Sequence, residues 1–312
     1  MAKRRVIGIG ETILDIIFQN NQPSAAVPGG SVFNGLVSLA RLGVDTTLVT
    51  EVGDDRVSKQ ILEFIEDNHI NTDYITQYPE RQSPLSLAYL NDENDAEYTF
   101  YKDYPNERLT GDFPKFTNHD IVVFGSYYAL NNVLRERMID FLEEAQKANA
   151  IIYYDPNFRS NHLGEALKLT PEIMENLEYA DIVRGSDEDF KNMWSLTDPE
   201  KIYREKVAFY CKNLIITQGS KGPILQTSHF KEHFDANTIE VVSSIGAGDN
   251  FNAGIIYGLL QRNIYKEDIN DLSVSEWGQI IAQGVALSSE VCQHFSNSVS
   301  KEWAENYKRQ GA

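Results

Sequence analysis

The run Ser243-Ser244-Ile245-Gly246-Ala247-Gly248-Asp249 places a carboxylate directly after three small residues. Beyond it, Phe251, Ile255, Ile256, Leu259 and Leu260 recur at helical spacing. Val241-Val242 ahead of it reads as a strand end, and Asn263 can close the helix. Glycines let a ligand come close to the backbone and leave consecutive N–H groups unpaired. At a helix N-terminus those groups and the helix dipole favour negative charge. A first-turn carboxylate could then accept the proton of a hydroxyl that attacks phosphorus. The same Asp could instead be a plain helix cap after a flexible turn.

A second glycine site precedes another periodic segment. Pro28-Gly29-Gly30-Ser31 leads into Val32, Phe33, Leu36, Val37, Leu39, Ala40 and Leu42, ending at Gly43. Ser31 suits an N-cap and Gly43 a left-handed C-terminus. Asn34, one turn in, could point back at the glycines and bond a sugar hydroxyl, or simply sit on the helix surface. Asp15 follows the first strand and could hold two vicinal hydroxyls, or be a solvated turn acid. In Asp155-Pro156-Asn157-Phe158-Arg159 the arginine could meet phosphate oxygens, and Asp155 and Asn157 could orient a metal or water. A Pro-Asn turn with a surface arginine explains the same residues.

Other patterns fail. Gly8-Ile9-Gly10 lacks a third glycine, since position 13 is Ile, which weakens a dinucleotide reading. No Gly-x-x-x-x-Gly-Lys-Ser/Thr string exists. His229 and His233 bracket Phe230-Lys231-Glu232, which is no clear helix, so a metal pair is not expected there.

These residues need positioning elements. Apolar runs at Val6–Ile9, Thr47–Val52, Ile121–Phe124, Ile151–Tyr154, Asp181–Val183 and Leu214–Thr217 alternate with periodic stretches such as Ser58–Asn68, Val133–Ala148 and Pro199–Lys212. That rhythm predicts an α/β fold, a doubly wound and mostly parallel sheet covered on both faces. Each run ends in small or polar residues, on the sheet end where ligands bind. Ser83–Asp103 alternates on both sides of the acidic turn Asn91–Asp95 and reads as a β-hairpin. With the partly alternating Thr12–Asn20 it predicts a small β lid, drawn from about 12–28 and 83–110, on a single domain over 1–312.

The net charge is −18, from 28 basic and 46 acidic residues. That argues against nucleic acid and an anionic membrane surface as partners. Two cysteines, Cys211 and Cys292, imply no disulfide framework. No apolar run is long enough to span a membrane. The basic Met1–Arg5 segment runs into a short strand rather than a signal sequence. A reduced, cytoplasmic protein is expected.

In their order and spacing these motifs resemble the ribokinase-like, or PfkB-type, carbohydrate kinases over nearly the whole chain. Gly29-Gly30-x-x-x-Asn34, Val52-Gly53-Asp54-Asp55 and Gly246-Ala247-Gly248-Asp249-x-Phe251-x-x-Gly254 carry the resemblance. Asp155-x-Asn157-x-Arg159 is similar to the fructokinase-like branch. The resemblance implies a Rossmann-like domain with a β lid, ATP as donor, a magnesium ion, and a sugar or nucleoside hydroxyl as acceptor. It implies Asp249 as base, with Gly246, Ala247 and Gly248 as the anion hole. Asp15, Gly29, Gly30, Asn34 and Arg159 would hold the acceptor. Thr217, Gly219, Gly222 and Ser186 would lie near the nucleotide phosphates or ribose, and Gln283 near adenine.

Three departures bear on that assignment. Ser243-Ser244 stands where relatives have Asp-Thr, an acid that helps many of them hold a monovalent cation, so potassium is doubtful. Their Asn-x-x-Glu, which acts through magnesium-bound water, appears as Ser186-Asp187-Glu188-Asp189, so Asp189 is the candidate through-water metal residue. Ser58 stands at about the place where relatives have a glycine after the Gly-Asp-Asp segment. Fructose is the expected acceptor. Ribose, a nucleoside, 2-keto-3-deoxygluconate and a non-catalytic sugar-binding relative are the alternatives. A homodimer through the lid is a further expectation, with Tyr89, Phe100 or Tyr101 as lid residues that could select the sugar.

Overall fold

The computed structural model describes residues 4–90 and 96–310. The strands are β1 (Arg5–Ile9), β2 (Ile13–Gln19), β3 (Gln22–Gly29), β4 (Asp45–Gly53), β5 (Ile75–Tyr78), β6 (Leu85–Leu90), β7 (Ala96–Tyr101), β8 (Ile121–Gly125), β9 (Ile151–Asp155), β10 (Ile182–Ser186), β11 (Leu214–Thr217), β12 (Pro223–Gln226) and β13 (Lys231–His233). The α-helices are α1 (Ser31–Arg41), α2 (Arg56–Asp67), α3 (Arg135–Lys147), α4 (Thr170–Tyr179), α5 (Asp187–Trp194), α6 (Pro199–Ile202), α7 (Ala247–Gln261), α8 (Val274–Cys292) and α9 (Lys301–Gln310).

A nine-stranded sheet runs in the order β13-β12-β11-β10-β9-β8-β1-β4-β5. It is parallel from β11 to β5, with an antiparallel edge at β12 and β13. From β1 the chain builds one way through β4 and β5 and then returns to β8 on the other side. The β1/β8 boundary is therefore the switch point, and in open sheets of this kind ligands bind outside the carboxyl ends of the strands there. Neighbouring residues feed opposite cores, as strand pleating requires. Val6, Val123, Tyr153 and Ile182 pack toward α1, α7 and α8. Ile7, Val122, Tyr154 and Val183 pack toward α3 and α4. Both faces are thus dry, and the six apolar runs of the sequence all become strands.

A four-stranded sheet, β3-β2-β6-β7, stands apart from the first in strand pairing. β6 and β7 are the expected hairpin, paired from Leu85↔Tyr101 to Leu90↔Ala96. Its acidic turn Asn91–Asp95 lies outside the described residues. No helix among the described residues is long and apolar enough to cross a membrane.

Three expected local features come out differently. Val241-Val242 forms no strand; the N–H groups of Val242 and Ser243 both donate to the carbonyl of Cys292, at 2.8 and 3.2 Å, tying this segment to the end of α8. Pro199–Lys212 is not one helix, because α6 passes into a π-helical turn at Tyr203–Val207. Gly30, not Ser31, occupies the N-cap of α1; Ser31 is the first helical residue, and no side chain caps the helix. Gly30 has φ 139°, and a Cβ there would lie 2.1 Å from the carbonyl oxygen of Glu11. The chain turns too sharply at that point for any side chain.

Candidate active site

The glycine run becomes the entry to α7. Gly246 is its N-cap, with φ 77°, and a Cβ there would lie 2.9 Å from the carbonyl oxygen of Asn297. Asp249 is the third helical residue and is buried. The first N–H groups of a helix have no intrahelical acceptor. Ala247 differs from the expected open anion hole, because its N–H donates to the carbonyl of Ser244 at 3.2 Å. Gly248 and Asp249 carry the next two N–H groups of the same first turn. Asn250 Nδ2 donates to the carbonyls of Gly246 and Asn297, both at 2.8 Å, which fixes the turn from within. Ser38 Oγ donates to Asn250 Oδ1, linking α1 to the same point.

α1 reaches α7 because Gly35 has no side chain; a Cβ there would lie 3.1 Å from the Asp249 carbonyl oxygen. Asn34 is therefore buried, not on the helix surface, and its Nδ2 donates to Asp249 Oδ2 at 2.8 Å. At the other end of α7, a Cβ on Gly254 would lie 2.3 Å from the Gln283 carbonyl oxygen in α8. That close crossing holds the α7 axis.

Burial pushes the Asp249 carboxyl up to about 6, and Asp155 adds to this. The Asn34 hydrogen bond and the charges of Arg159 and Arg184 pull the other way. A base with this value is largely ionised at neutral pH yet retains proton affinity. Asp15, on β2, lies partly buried and accepts from Ser86 Oγ. Its carboxyl is raised by burial, offset in part by that bond and by Arg159. A Cβ on Gly29 would lie 2.7 Å from Asp15 Oδ2, so the glycine leaves room for this acid. Gly29 thus lies against Asp15, and Asn34 against Asp249, with Gly30 between them at the start of α1.

Beyond β9, Asp155 Oδ1 accepts from the Asn157 N–H at 3.0 Å, and Arg159 Nε donates to Asn157 Oδ1 at 3.2 Å. Thr217 ends β11 opposite Ser186 at the end of β10. Gly219 and Gly222 follow with positive φ, and a Cβ on Gly222 would lie 2.0 Å from the Phe234 carbonyl oxygen. Ser186 and Asp189 form a capping box on α5: Asp189 Oδ2 accepts from the Ser186 N–H and Oγ, both at 2.7 Å. Asp189 is buried, and burial followed by Asp155 raises its carboxyl. Gln283 is not brought to the glycine run. Its backbone packs on Gly254, and its Oε1 accepts from the Tyr307 hydroxyl at 2.7 Å.

Two residues escaped the sequence reading. Arg184 sits in β10 with a buried guanidinium, donating from Nη1 to Asp155 Oδ2 at 2.9 Å and from Nη2 to Thr217 Oγ1 at 2.5 Å. Asn252 Nδ2 donates to the same Asp155 oxygen at 2.6 Å. A charged residue inside Ile182-Val183-Arg184-Gly185 was the signal available for the first. Asn252 carried none, since only the folded helix turns it toward β9.

No group of three or more acidic, His or Cys residues among the described residues forms a metal cage. Magnesium carried on nucleotide phosphates keeps most of its waters and needs no such cage. The buried Asp189 carboxylate fits contact through water, with Oδ2 held by the cap.

The sequence and the fold are similar to those of known proteins. The chain is 28% identical over 264 residues to a probable chloroplastic fructokinase-6 of Arabidopsis thaliana, covering 80% of this chain and 69% of that one. It is 25% identical over 275 residues to an ATP-dependent 6-phosphofructokinase of Thermoanaerobacterium thermosaccharolyticum, covering 86% and 85%. The crystal structure of a fructokinase from Vibrio cholerae O395, with fructose, ADP and calcium bound, superposes with a TM-score of 0.83 at 17% identity, over 98% of this chain and 99% of that one. The profile of the pfkB family carbohydrate kinases matches residues 5–304. On that match over nearly its whole length, the chain belongs to the pfkB family carbohydrate kinases, phosphotransferases that act on sugar hydroxyls.

Proposed function

We propose that this chain transfers the γ-phosphoryl group of ATP to a hydroxyl of an unphosphorylated sugar, fructose by preference. The observation that carries this reading is the buried Asp249 in the first turn of α7, with Asn34 on one of its oxygens. In the transfer, Asp249 accepts the hydroxyl proton through Oδ1. The sugar oxygen bonds to the γ-phosphorus as the bond from that phosphorus to the β–γ bridging oxygen breaks, and ADP leaves. Asn34 orients the base through Nδ2 and keeps Oδ1 of its amide for the sugar. The N–H groups of Gly248 and Asp249 meet the charge on the moving phosphoryl group. Arg159 is the side chain that would meet its outer oxygens. Magnesium, held with the nucleotide near Asp189 through water, would neutralise phosphate charge.

A neutral acceptor suits the charges around the crevice. Lys102 Nζ lies 2.8 Å from Glu11 Oε2, and Tyr104 donates to Glu11 Oε1 at 2.7 Å. Arg108, stacked on Tyr104, is paired with the fully buried Glu51. These cations are already matched by carboxylates, so a second anionic group on the acceptor gains little from them. Fructose is favoured by the Asp155–Arg159 segment and by the fructokinases among the relatives. The small sheet would act as the lid, and its exposed Tyr89, Phe100 and Tyr101 suit coverage by a second copy.

The test is an ADP-release assay over a panel of sugars and nucleosides, with and without potassium. Turnover highest with fructose is expected. No turnover with any acceptor would sink the kinase reading. The capping role of Ser186 and Asp189 favours one rival, a sugar-binding protein without catalysis. It requires calorimetric sugar binding together with no ADP release.

A further inference from the structure

Arg184 is placed where stability alone does not put a charge. It points from β10 beneath the first turn of α7, and a Cβ on Gly248 would lie 2.7 Å from its Nη1. The start of a helix is its positive end, so a cation there is opposed by the dipole. Moving a guanidinium out of water is costly as well. Asp155 and Thr217 satisfy its two amino groups, but Nε is buried without a partner. The Phe251 ring lies 5.7 Å from the guanidinium carbon, in a setting that an apolar side chain would fill. Three acids, Asp155, Asp189 and Asp249, face this one cation.

We propose that Arg184 is a positioning residue for phosphoryl transfer: pinned by Asp155 and Thr217, it braces Gly248 from below and supplies positive charge under the point where the moving phosphoryl group meets the glycine run. This rests on the kinase reading of the site. The buried pair with Asp155 holds this cation at the helix start, beside the place where the moving phosphoryl group would meet the glycine run. The same charge favours the ionised form of Asp249, in concert with Asn34 from α1 and Arg159 beyond β9, and against Asp155 from β9. Arg184 thereby links the nucleotide side of the crevice, at Thr217, to the base.

The test compares wild type, Arg184→Gln and Arg184→Lys in kcat and in kcat/KM against pH. Removal of one anion-stabilising group costs roughly 10²-fold in kcat, and that loss is expected for the Gln variant. Its acid limb should also move to higher pH, while its KM for ATP changes much less than kcat. The Lys variant should recover most of the rate and keep the wild-type limb. A Gln variant with the wild-type limb, or Lys no better than Gln, overturns the proposal. If the Gln variant does not fold, Gly248→Ala pushes a methyl group onto Nη1 and should displace the limb the same way; an unmoved limb again overturns it. Wild-type turnover is read first. If wild type phosphorylates no acceptor, the kinase reading fails and the Arg184 role falls with it; turnover by wild type with an unmoved limb in the Gln variant refutes the Arg184 role alone.

Discussion

The amide nitrogen of Asn34 lies 2.8 Å from Oδ2 of Asp249, joining residues 215 positions apart in the chain. The bond stabilises the ionised carboxylate against the burial that opposes it. A hydrogen bond to a charged group contributes about 1.5–3 kcal/mol, so its loss should raise the acid limb of kcat/KM from near 6 by roughly one to two pH units. Asn34→Ala is the variant, and a pH–rate profile is the measurement. An unmoved limb would show that the base does not depend on this bond.

Asp249→Asn should cut kcat by roughly 10²–10⁴, as expected for a general base. It should also stabilise the protein. Folding raises the carboxyl from 3.8 to about 6, so the unfolded chain gives up this proton first as pH rises. The resulting cost to the native state is absent below about 4, grows between about 4 and 6, and is complete above 6. It amounts to something on the order of 3 kcal/mol. Urea denaturation at pH 4 and pH 8 checks this: the Asn variant should gain on wild type at pH 8 and lose most of that gain at pH 4.

Gly254→Ala should destabilise the fold. The added methyl group would lie 2.3 Å from a backbone oxygen of α8, which cannot rotate away. The two helices must separate, at a cost of about 1–3 kcal/mol or more. A lower urea midpoint with weakened turnover is expected, since α7 carries Asp249. Wild-type stability in this variant would refute the close crossing.

Replacing potassium by a bulky organic cation should change the rate by less than about twofold, because a neutral hydroxyl adds no ligand charge to a cation site. Ser243 is buried, and its Oγ already accepts the Ile245 N–H at 3.2 Å. Steady-state rates in potassium and in tetramethylammonium test it. A strong potassium requirement would mean that backbone oxygens alone suffice.

Much of the site was readable because glycine leaves a trace that other residues do not. Gly30 and Gly246 stand where the backbone needs positive φ and close approach, so their chemistry shows in the one-letter string. Asp249 was legible through the same run. Arg184 was passed over because a single charge in a strand carries no period. Ser186 and Asp189 also bond each other at the start of α5, a partnership that became visible only in the folded chain.

By itself the sequence determined the alternating strands and helices, the glycine turns and the candidate base, since all of these follow from local backbone preference and apolar period. Tertiary structure alone decided what Asp249 touches. The switch between β1 and β8, the close crossing of α1 at Gly35 and the depth of β10 bring Asn34 and Arg184 to the start of α7. Burial there sets the affinity of Asp249 for a proton, and burial is a property of the packed chain rather than of any segment of it.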